Sequence, residues 1–401
     1  MNRKVVFLAP LVLAACGLGL DLPNGNGGKS GVKRSAITCP KTPAPQTFGQ
    51  AVCLCHDLQL VGHGFLAKAG QGGAAEVDIN GKMEVVGQHQ VDGKLSVGKS
   101  IEGTGELTVN GDAICQGDVD GVGRAHVTHD LSVGGNLQSV GELTVDGSLN
   151  VRGDAQSVGE QHVAQLGAYV DPGAPPCDCN NPALPDVAAA IATAKATNDN
   201  AASGLPTKID SVGDSELHFP TGSYYLSSVS TVGTAKFFID GAVALYVDGD
   251  LEAVGDENFT LADGATLDLY VGGQLSSVGD SMLSDVNHPG AVRLYLAKGG
   301  NVDLHVGSSE MNALIYAPKA TLNVVGDTTI RGGIFADGLS GVGLVTIEYS
   351  GVAMPGADVC NPDGTIPDGT GTGTTGTGTG AGHDAGCDAD AGVVGDVPNL
   401  N

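Results

Sequence analysis

The sequence predicts an all-β protein of two parallel β-solenoid (β-helix) domains, the first triangular with about 18 residues per coil and the second with longer coils. Two near repeats support this prediction. The stretch "GELTVNGD" at Gly105 returns as "GELTVDGS" at Gly141, and "LYVDGDLEAVGD" at Leu245 returns as "LYVGGQLSSVGD" at Leu269. Composition agrees, because 64 glycines, no tryptophan and 4% aromatic residues among 401 suit thin, regular β-structure better than one globular core.

The first solenoid has a period of eighteen residues, visible in "GDVDGVG" at Gly117, "GNLQSVG" at Gly135 and "GDAQSVG" at Gly153. Within it lies a period of six, in two columns of inward positions. The aliphatic column is Leu95, Ile101, Leu107, Ala113, Val119, Ala125, Leu131, Leu137, Leu143, Leu149 and Ala155. The small or β-branched column is Val97, Gly103, Val109, Cys115, Gly121, Val127, Val133, Ser139, Val145, Val151, Ser157 and Val163.

These columns predict how one coil is built. Residues i and i+2 share one face of a strand, so each six-residue unit gives a short strand with two inward side chains and a Gly, Asp or Asn turn. Three units complete a coil, and coils stack at about 4.7–4.9 Å. One coil cannot bury its own apolar face, which is why the unit repeats.

The charge limits the partners. There are 45 acidic and 19 basic residues, and the formal net charge is -26. Nucleic acid and anionic headgroups are therefore disfavoured as partners. The scattered acids are expected to keep a β-rich surface soluble and to prevent edge-to-edge association.

The first residues, "MNRKVVFLAPLVLAAC", predict a secretory signal peptide over 1–15. Leu13-Ala14-Ala15-Cys16 resembles the bacterial lipobox. That resemblance implies that Cys16 is diacylated and anchors the protein in a membrane, and Gly17 after it implies the outer membrane, with the periplasmic face and the cell surface both open. An ordinary signal peptide cut nearby is the alternative. Residues 16–38 are predicted to be a flexible tether.

The pattern Val-x-Gly-x-aliphatic-x-Val, as in "VDGKLSV" from Val91 and "VDGSLNV" from Val145, resembles the bactofilins, polymer-forming cytoskeletal proteins of bacteria. The resemblance covers roughly residues 70–165 and implies a right-handed triangular β-helix. We place this bactofilin-like domain at 39–170.

A Pro- and Cys-rich linker is predicted at 171–185, followed by a helix with Asp186 as N-cap that ends near Thr197. The second domain, 186–359, contains "PTGSYYLSS" at Pro220 and "LIYAPKATLNVVGD" at Leu314. These stretches resemble an uncharacterised β-helical domain of exported, pilus-assembly-associated proteins. The Gly/Thr-rich tail, 360–401, is predicted to be disordered.

Apart from Cys16 the chain has eight cysteines, an even number that favours disulfides in an exported protein. Connectivity is left open by the sequence, and Cys115 is expected to be a buried free thiol. A metal site made from the two Cys-x-Cys pairs, with His56, is the alternative. The disulfide candidates are Cys39, Cys53, Cys55, Cys177, Cys179 and Cys360.

Other polar residues are interpreted as structural. His126 and His162 are two coils apart, about 10 Å, and are expected to be surface positions. Turn geometry explains aspartates beside glycines, with calcium between coils as the alternative. The aspartates concerned are Asp248, Asp250, Asp256 and Asp280. We expect no cofactor, no metal and no enzyme, since no catalytic motif is recognised.

The sequence therefore predicts a non-enzymatic, lipid-anchored cell-envelope protein with a structural, scaffolding or adhesive role. Its expected partners are the membrane, through the lipid on Cys16, and a second copy or another envelope or surface component. A carbohydrate-active β-helix enzyme acting on an envelope or extracellular polysaccharide is the alternative.

Overall fold

The computed structural model describes residues 48–69, 75–138, 140–156, 158–278, 290–306 and 309–350. Nearly all of them form one parallel β-solenoid of about 12 turns, which confirms the predicted fold class. The predicted signal peptide, tether and Gly/Thr-rich tail lie outside the described residues.

The N-terminal half of the solenoid spans residues 48–166. Its strands are β1 (Val52–Leu54), β2 (Leu58–Ala69), β3 (Val77–Ile79), β4 (Met83–Val91), β5 (Leu95–Val97), β6 (Ile101–Val109), β7 (Ala113–Cys115), β8 (Val119–Asp120), β9 (Arg124–Val127), β10 (Leu131–Val133), β11 (Leu137–Gln138), β12 (Glu142–Val151), β13 (Ala155–Gln156) and β14 (Glu160–Leu166).

The C-terminal half spans residues 209–349. Its strands are β15 (Ile209–Val212), β16 (Ser215–Phe219), β17 (Gly222–Leu226), β18 (Val229–Ile239), β19 (Ala242–Val247), β20 (Leu251–Leu261), β21 (Thr266–Val271), β22 (Leu275–Val278), β23 (Val292–Leu296), β24 (Gly300–Val306), β25 (Ser309–Val325) and β26 (Thr328–Tyr349).

The register follows the two sequence periods. In the N-terminal half Leu95 pairs with Ala113 and Leu131 with Leu149, each eighteen residues on. In the C-terminal half Leu245 pairs with Leu269, so the two near copies stack directly. The aliphatic column is buried from Leu95 to Leu149, but Ala155 is exposed because it belongs to the last coil described in this half, which has a neighbour on only one side.

The strands bend at a corner of glycines. Gly62, Gly87 and Gly105 are consecutive in register and have φ of +135°, +115° and +124°. A Cβ on Gly87 would collide with the carbonyl oxygen of Gly62 in the preceding coil. Only glycine combines a positive φ with such close stacking, so the repeated Val-Gly step marks this corner.

Turn aspartates and asparagines bind the next coil. Oδ1 of Asp118 accepts from the Asn136 amide at 2.6 Å, and Oδ1 of Asn136 accepts from the Asp154 amide at 3.0 Å. Asp130 accepts from the Ser148 amide in the same way. These side chains therefore satisfy backbone donors eighteen residues further along the chain.

The two halves meet at a seam. Strand β26 of the C-terminal half pairs in parallel with both β1 and β2 of the N-terminal half. One coil, which we call the seam coil, is thus built from residues 339–349 and 52–54. Apolar side chains of both halves belong to one continuous core. Along the solenoid axis, the C-terminal half precedes the N-terminal half.

The halves are linked by the return segment, residues 167–186, and two helices. The first helix, α1 (Val187–Ala196), has Asp186 as N-cap, whose side chain accepts from the Ala189 amide, as the sequence predicts. It packs against β17, β19 and β21. The second helix, α2 (Asn200–Ser203), is a single turn.

Candidate functional site

An aromatic ladder lies on the outward face of the C-terminal half. Its members are consecutive in register, and the rings of Tyr246, Tyr270 and Tyr295 stack with centroids 4.5 and 4.4 Å apart. Cys53 follows Phe335 in register across the seam. The ladder consists of Tyr225, Tyr246, Tyr270, Tyr295, Tyr316 and Phe335.

The ladder is covered by α1, the return segment and Phe48. Val187 and Ile191 of α1 belong to its apolar cluster. The Tyr316 hydroxyl donates to the Pro185 carbonyl at 3.1 Å, and Phe48 packs edge-on against Tyr295. Burial raises the pKa of Tyr295 well above its ordinary value. The ladder is thus an internal packing surface that holds the return segment and α1 against the coils.

Two disulfides, which we call the cysteine clamp, bind the return segment to the seam coil and the turn after it. Cys53 is bonded to Cys177 and Cys55 to Cys179, each pair 124 residues apart. Asn80 holds Cys177 on both sides: its Nδ2 donates to the Cys177 carbonyl and its Oδ1 accepts from the Cys177 amide, both at 2.8 Å.

The remaining predicted cysteines are placed differently. Cys16, Cys39 and Cys360 lie outside the described residues. Cys115 is buried and free, and burial raises the pKa of its thiol to about 11. It is therefore an unreactive thiol at neutral pH.

The metal alternative concerns the clamp cysteines. The Sγ atoms of Cys55, Cys177 and Cys179 lie within 4.8 Å of one another, which is compact enough for thiolate ligands. In the structure these sulfurs are in disulfides, and a disulfide sulfur is not a thiolate ligand. His56 Nδ1 lies 2.6 Å from Asp337 Oδ1. The arrangement described is therefore a covalent clamp.

The two histidines that were expected to be surface positions each have a local partner. His126, Thr144 and His162 are consecutive in register, with His126 Nε2 3.2 Å from Asp146 and His162 Nε2 3.0 Å from Glu160. His126 and His162 are thus each bound to a different carboxylate, and Thr144 lies between them in register.

The two described aspartates of the calcium alternative also have partners. Asp248 accepts from Lys195 and from the Tyr225 hydroxyl, which lowers the pKa of its carboxyl. Asp250 accepts from the Gln274 amide at 2.6 Å. The side chain of Asp256 and all of Asp280 lie outside the described part of the structure.

Asp268 and Arg293 form an ion pair whose side chains are 0% and 1% exposed. Arg293 binds both carboxylate oxygens, with Nη2 3.0 Å from Oδ2. Burial alone would lower the pKa of Arg293, but the Asp268 carboxylate raises it, so the guanidinium stays charged. In register the pair lies between Ala244 and Leu314, which are apolar.

Several cavities in the described part of the structure are lined by titratable groups. One of about 440 Å³ lies between the return segment and the seam region and is lined by Gln50, Glu76, Asp178, Leu184 and other residues. Another, of about 340 Å³, is lined by His63, His89 and Glu106 among others. His89 is buried, and burial lowers the pKa of its ring.

The sequence reasoning missed the aromatic ladder and the pairing across the seam. The ladder had a signal: Tyr246 and Tyr270 hold the same place in the near copies quoted from Leu245 and Leu269. The seam had none, because neither β1 nor β26 carries a motif that identifies the other as its neighbour.

The fold and the clamp define a disulfide-bonded parallel β-solenoid. Within it, residues 177–351 match a family described as a domain of unknown function, DUF7305. The match begins at a clamp cysteine and ends just after β26. No curated protein and no solved structure matches the chain. Among the described residues, no helix has the length and apolar character needed to cross a bilayer.

Proposed function

We propose that the protein is a non-enzymatic, lipid-anchored structural element of the cell envelope, with a scaffolding or adhesive role. The observation that carries this proposal is the structure of the seam. There β26 pairs with β1 and β2, and the two disulfides of the cysteine clamp attach the return segment to the same region. Two distant parts of the chain are thereby held in one continuous rod.

This construction suits a load-bearing or displayed element. Each coil is held to the next by backbone hydrogen bonds along its strands, and the core is continuous from one half to the other. Disulfides form and persist in oxidising compartments such as the periplasm and the cell surface. The lipobox-like Leu13–Cys16 and the bactofilin-like repeats support the same proposal.

The anchor and the face of the membrane are tested by protease shaving of intact cells, with a Cys16→Ala variant as control and mass spectrometry of the released peptides. The proposal expects the wild type in the membrane fraction and the variant released from it. Cleavage in intact cells assigns the rod to the surface, whereas protection until the outer membrane is permeabilised assigns it to the periplasm. A Cys16→Ala variant that stays in the membrane fraction contradicts the anchor.

A carbohydrate-active enzyme is the second candidate, because Glu76 and Asp178 line the same cavity of about 440 Å³ and glycoside hydrolysis uses two carboxyl groups. Incubation of the purified protein with envelope polysaccharides tests it. Product formation that Glu76→Gln and Asp178→Asn abolish supports the enzyme; no product, or product that both variants still release, supports the structural role.

A further inference from the structure

The two disulfides of the cysteine clamp lie in contact with each other. Sγ of Cys179 lies 3.6 Å from Sγ of Cys177, although each is bonded to a different partner. The Sγ atoms of Cys55, Cys177 and Cys179 all lie within 4.8 Å of one another. A thiolate formed at one bond therefore lies within reach of a sulfur of the other bond, which is the arrangement that thiol–disulfide exchange needs.

The two bonds differ in how easily a reductant reaches them. Cys53 and Cys177 are only 4% and 1% exposed. Cys55 and Cys179 are half-buried, so their sulfurs are the more accessible ones. Access of the attacking thiolate is one of the factors that set the rate of thiol–disulfide exchange. We therefore call Cys55–Cys179 the accessible bond and Cys53–Cys177 the buried bond.

Charge adds to the difference between the two bonds. The buried bond borders the cavity of about 440 Å³, whose two acidic residues, Glu76 and Asp178, repel an approaching thiolate anion. Cys179 lines another cavity, of about 330 Å³, in which Lys319 offsets the charge of Asp186. Attack by an external thiolate is therefore disfavoured at the buried bond by both burial and charge, and it is directed to the accessible bond.

Asn80 positions the two sulfurs that lie in contact. Its Nδ2 donates to Cys179 Sγ at 3.5 Å, and a hydrogen bond donated to sulfur favours the thiolate over the thiol once the accessible bond is reduced. The same amide group holds the backbone of Cys177 through both its donor and its acceptor. One side chain thus supports the sulfur that would attack and fixes the residue that carries its target.

We propose that the cysteine clamp is a redox relay, in which a dithiol reductant opens the accessible bond and the Cys179 thiolate then opens the buried one. In the first step the dithiol is oxidised to its own disulfide, and Cys55 and Cys179 are reduced to thiols. In the second step the Cys179 thiolate attacks Cys177 Sγ and forms a bond with it. The Cys53–Cys177 bond breaks, and Cys53 leaves as a thiolate that takes a proton from solvent. This second step involves no net oxidation or reduction.

The exchange moves the covalent link from between two segments to within one. The return segment then carries its own Cys177–Cys179 bond and is no longer bonded to the seam coil or to the turn after it. Reduction of one bond thus releases both attachments, while contacts such as that of the Tyr316 hydroxyl with the Pro185 carbonyl still hold the segment on the aromatic ladder. This inference goes beyond the proposed envelope role and does not depend on acylation of Cys16.

Two single variants, made in the mature full-length chain with Cys16→Ala, test the relay. Cys55→Ser and Cys179→Ser both lack the accessible bond, so any loosening of the return segment is common to them, but only Cys55→Ser keeps the Cys179 thiol. During treatment with dithiothreitol, alkylation and peptide mass spectrometry measure how fast Cys53 becomes a free thiol. We expect this release to be at least about tenfold faster in Cys55→Ser, because an intramolecular thiolate attacks at a high effective concentration.

The double variant Cys55→Ser, Cys179→Ser is the control without a thiol beside the buried bond, and it should release Cys53 as slowly as Cys179→Ser does. A Cys55→Ser chain that is isolated with the Cys177–Cys179 bond already formed would show the exchange directly. Equal rates of Cys53 release in the two single variants would mean that the reductant attacks the buried bond itself, and they overturn the relay. Faster release in Cys179→Ser would overturn the assignment of Cys179 as the attacking residue.

Discussion

The Tyr349 hydroxyl donates to the Phe48 carbonyl at 2.7 Å, across a separation of 301 residues. The bond lies in the seam coil, where the last described strand and the first one complete a single turn of the solenoid. Each half therefore covers an apolar edge that the other half would otherwise leave open. We therefore expect the two halves to unfold as one cooperative unit, although a long return segment separates them in sequence.

A cut in the return segment should leave the rod intact. Residues 171–175 are exposed, and Gly173 has open space around it, so a protease site inserted there should be cleaved in the folded protein. We expect the two fragments to elute together in size-exclusion chromatography even under reducing conditions, since β26 stays paired with β1 and β2. They should separate in denaturant. Separation in native reducing buffer would show that the seam pairing is weaker than the structure indicates.

The two clamp disulfides should be strongly non-additive. Both disulfides close nearly the same loop. Removing one of them, with Cys53→Ser and Cys177→Ser, leaves the loop closed by the other and should lower the free energy of unfolding by about 2 kcal/mol. Removing all four cysteines opens a loop of 124 residues and should lower the free energy of unfolding by more than about 5 kcal/mol. Urea denaturation measures these losses for three serine variants: one without the Cys53–Cys177 bond, one without the Cys55–Cys179 bond, and one without either bond. Two equal, additive losses would contradict it.

The buried ion pair should be costly to break and easy to replace. Asp268→Val alone leaves the Arg293 guanidinium buried without its partner and should destabilise the protein by about 3–5 kcal/mol. The double variant Asp268→Val, Arg293→Met should recover most of that loss, because it continues the apolar column of Ala244 and Leu314. Thermal unfolding of the wild type, the single variant and the double variant measures these differences in stability. A double variant as unstable as the single one would show a role for the charges beyond their pairing.

His89 should make the protein less stable in mild acid. It takes an inward position between Gly64 and Leu107 in register, and burial lowers the pKa of its ring below the ordinary 6.5. The unfolded chain therefore binds a proton at a pH where the folded one does not, so stability falls as the pH drops below about 6.5.

The variant His89→Leu, which copies Leu107, should lose less stability than wild type between about pH 7 and pH 5. Melting temperatures at the two pH values measure this difference. The same two measurements on His126→Gln, at a partly exposed histidine, are the control for the loss of an imidazole outside the core. Equal slopes for wild type and His89→Leu would exclude His89 as the source.

The periodic part of the fold was accessible from the sequence because stacked coils place chemically alike residues in one column. Leu95, Leu131 and Leu149 are inward for that reason, and the Asp186 N-cap follows from a local signal. Non-periodic relations were not accessible. The order of the halves along the axis, the pairing of Cys53 with Cys177 and the partner of Arg293 each depend on contacts between segments that share no repeat.

The candidate site was accessible only in part. The Cys-x-Cys pairs were recognised, but which cysteine meets which depends on the path of the return segment. The tyrosines were quoted within their repeats without their outward direction being deduced, because a covered outward face and a solvent-exposed one have the same period.

The position of the seam also decides how the rod can be held. The chain enters the solenoid at Phe48 and leaves it after Tyr349, and these two residues touch at the coil with the C-terminal half on one side and the N-terminal half on the other. A force applied through the chain at Phe48 or at Tyr349 would therefore enter the solenoid between its two halves and not at one of its ends.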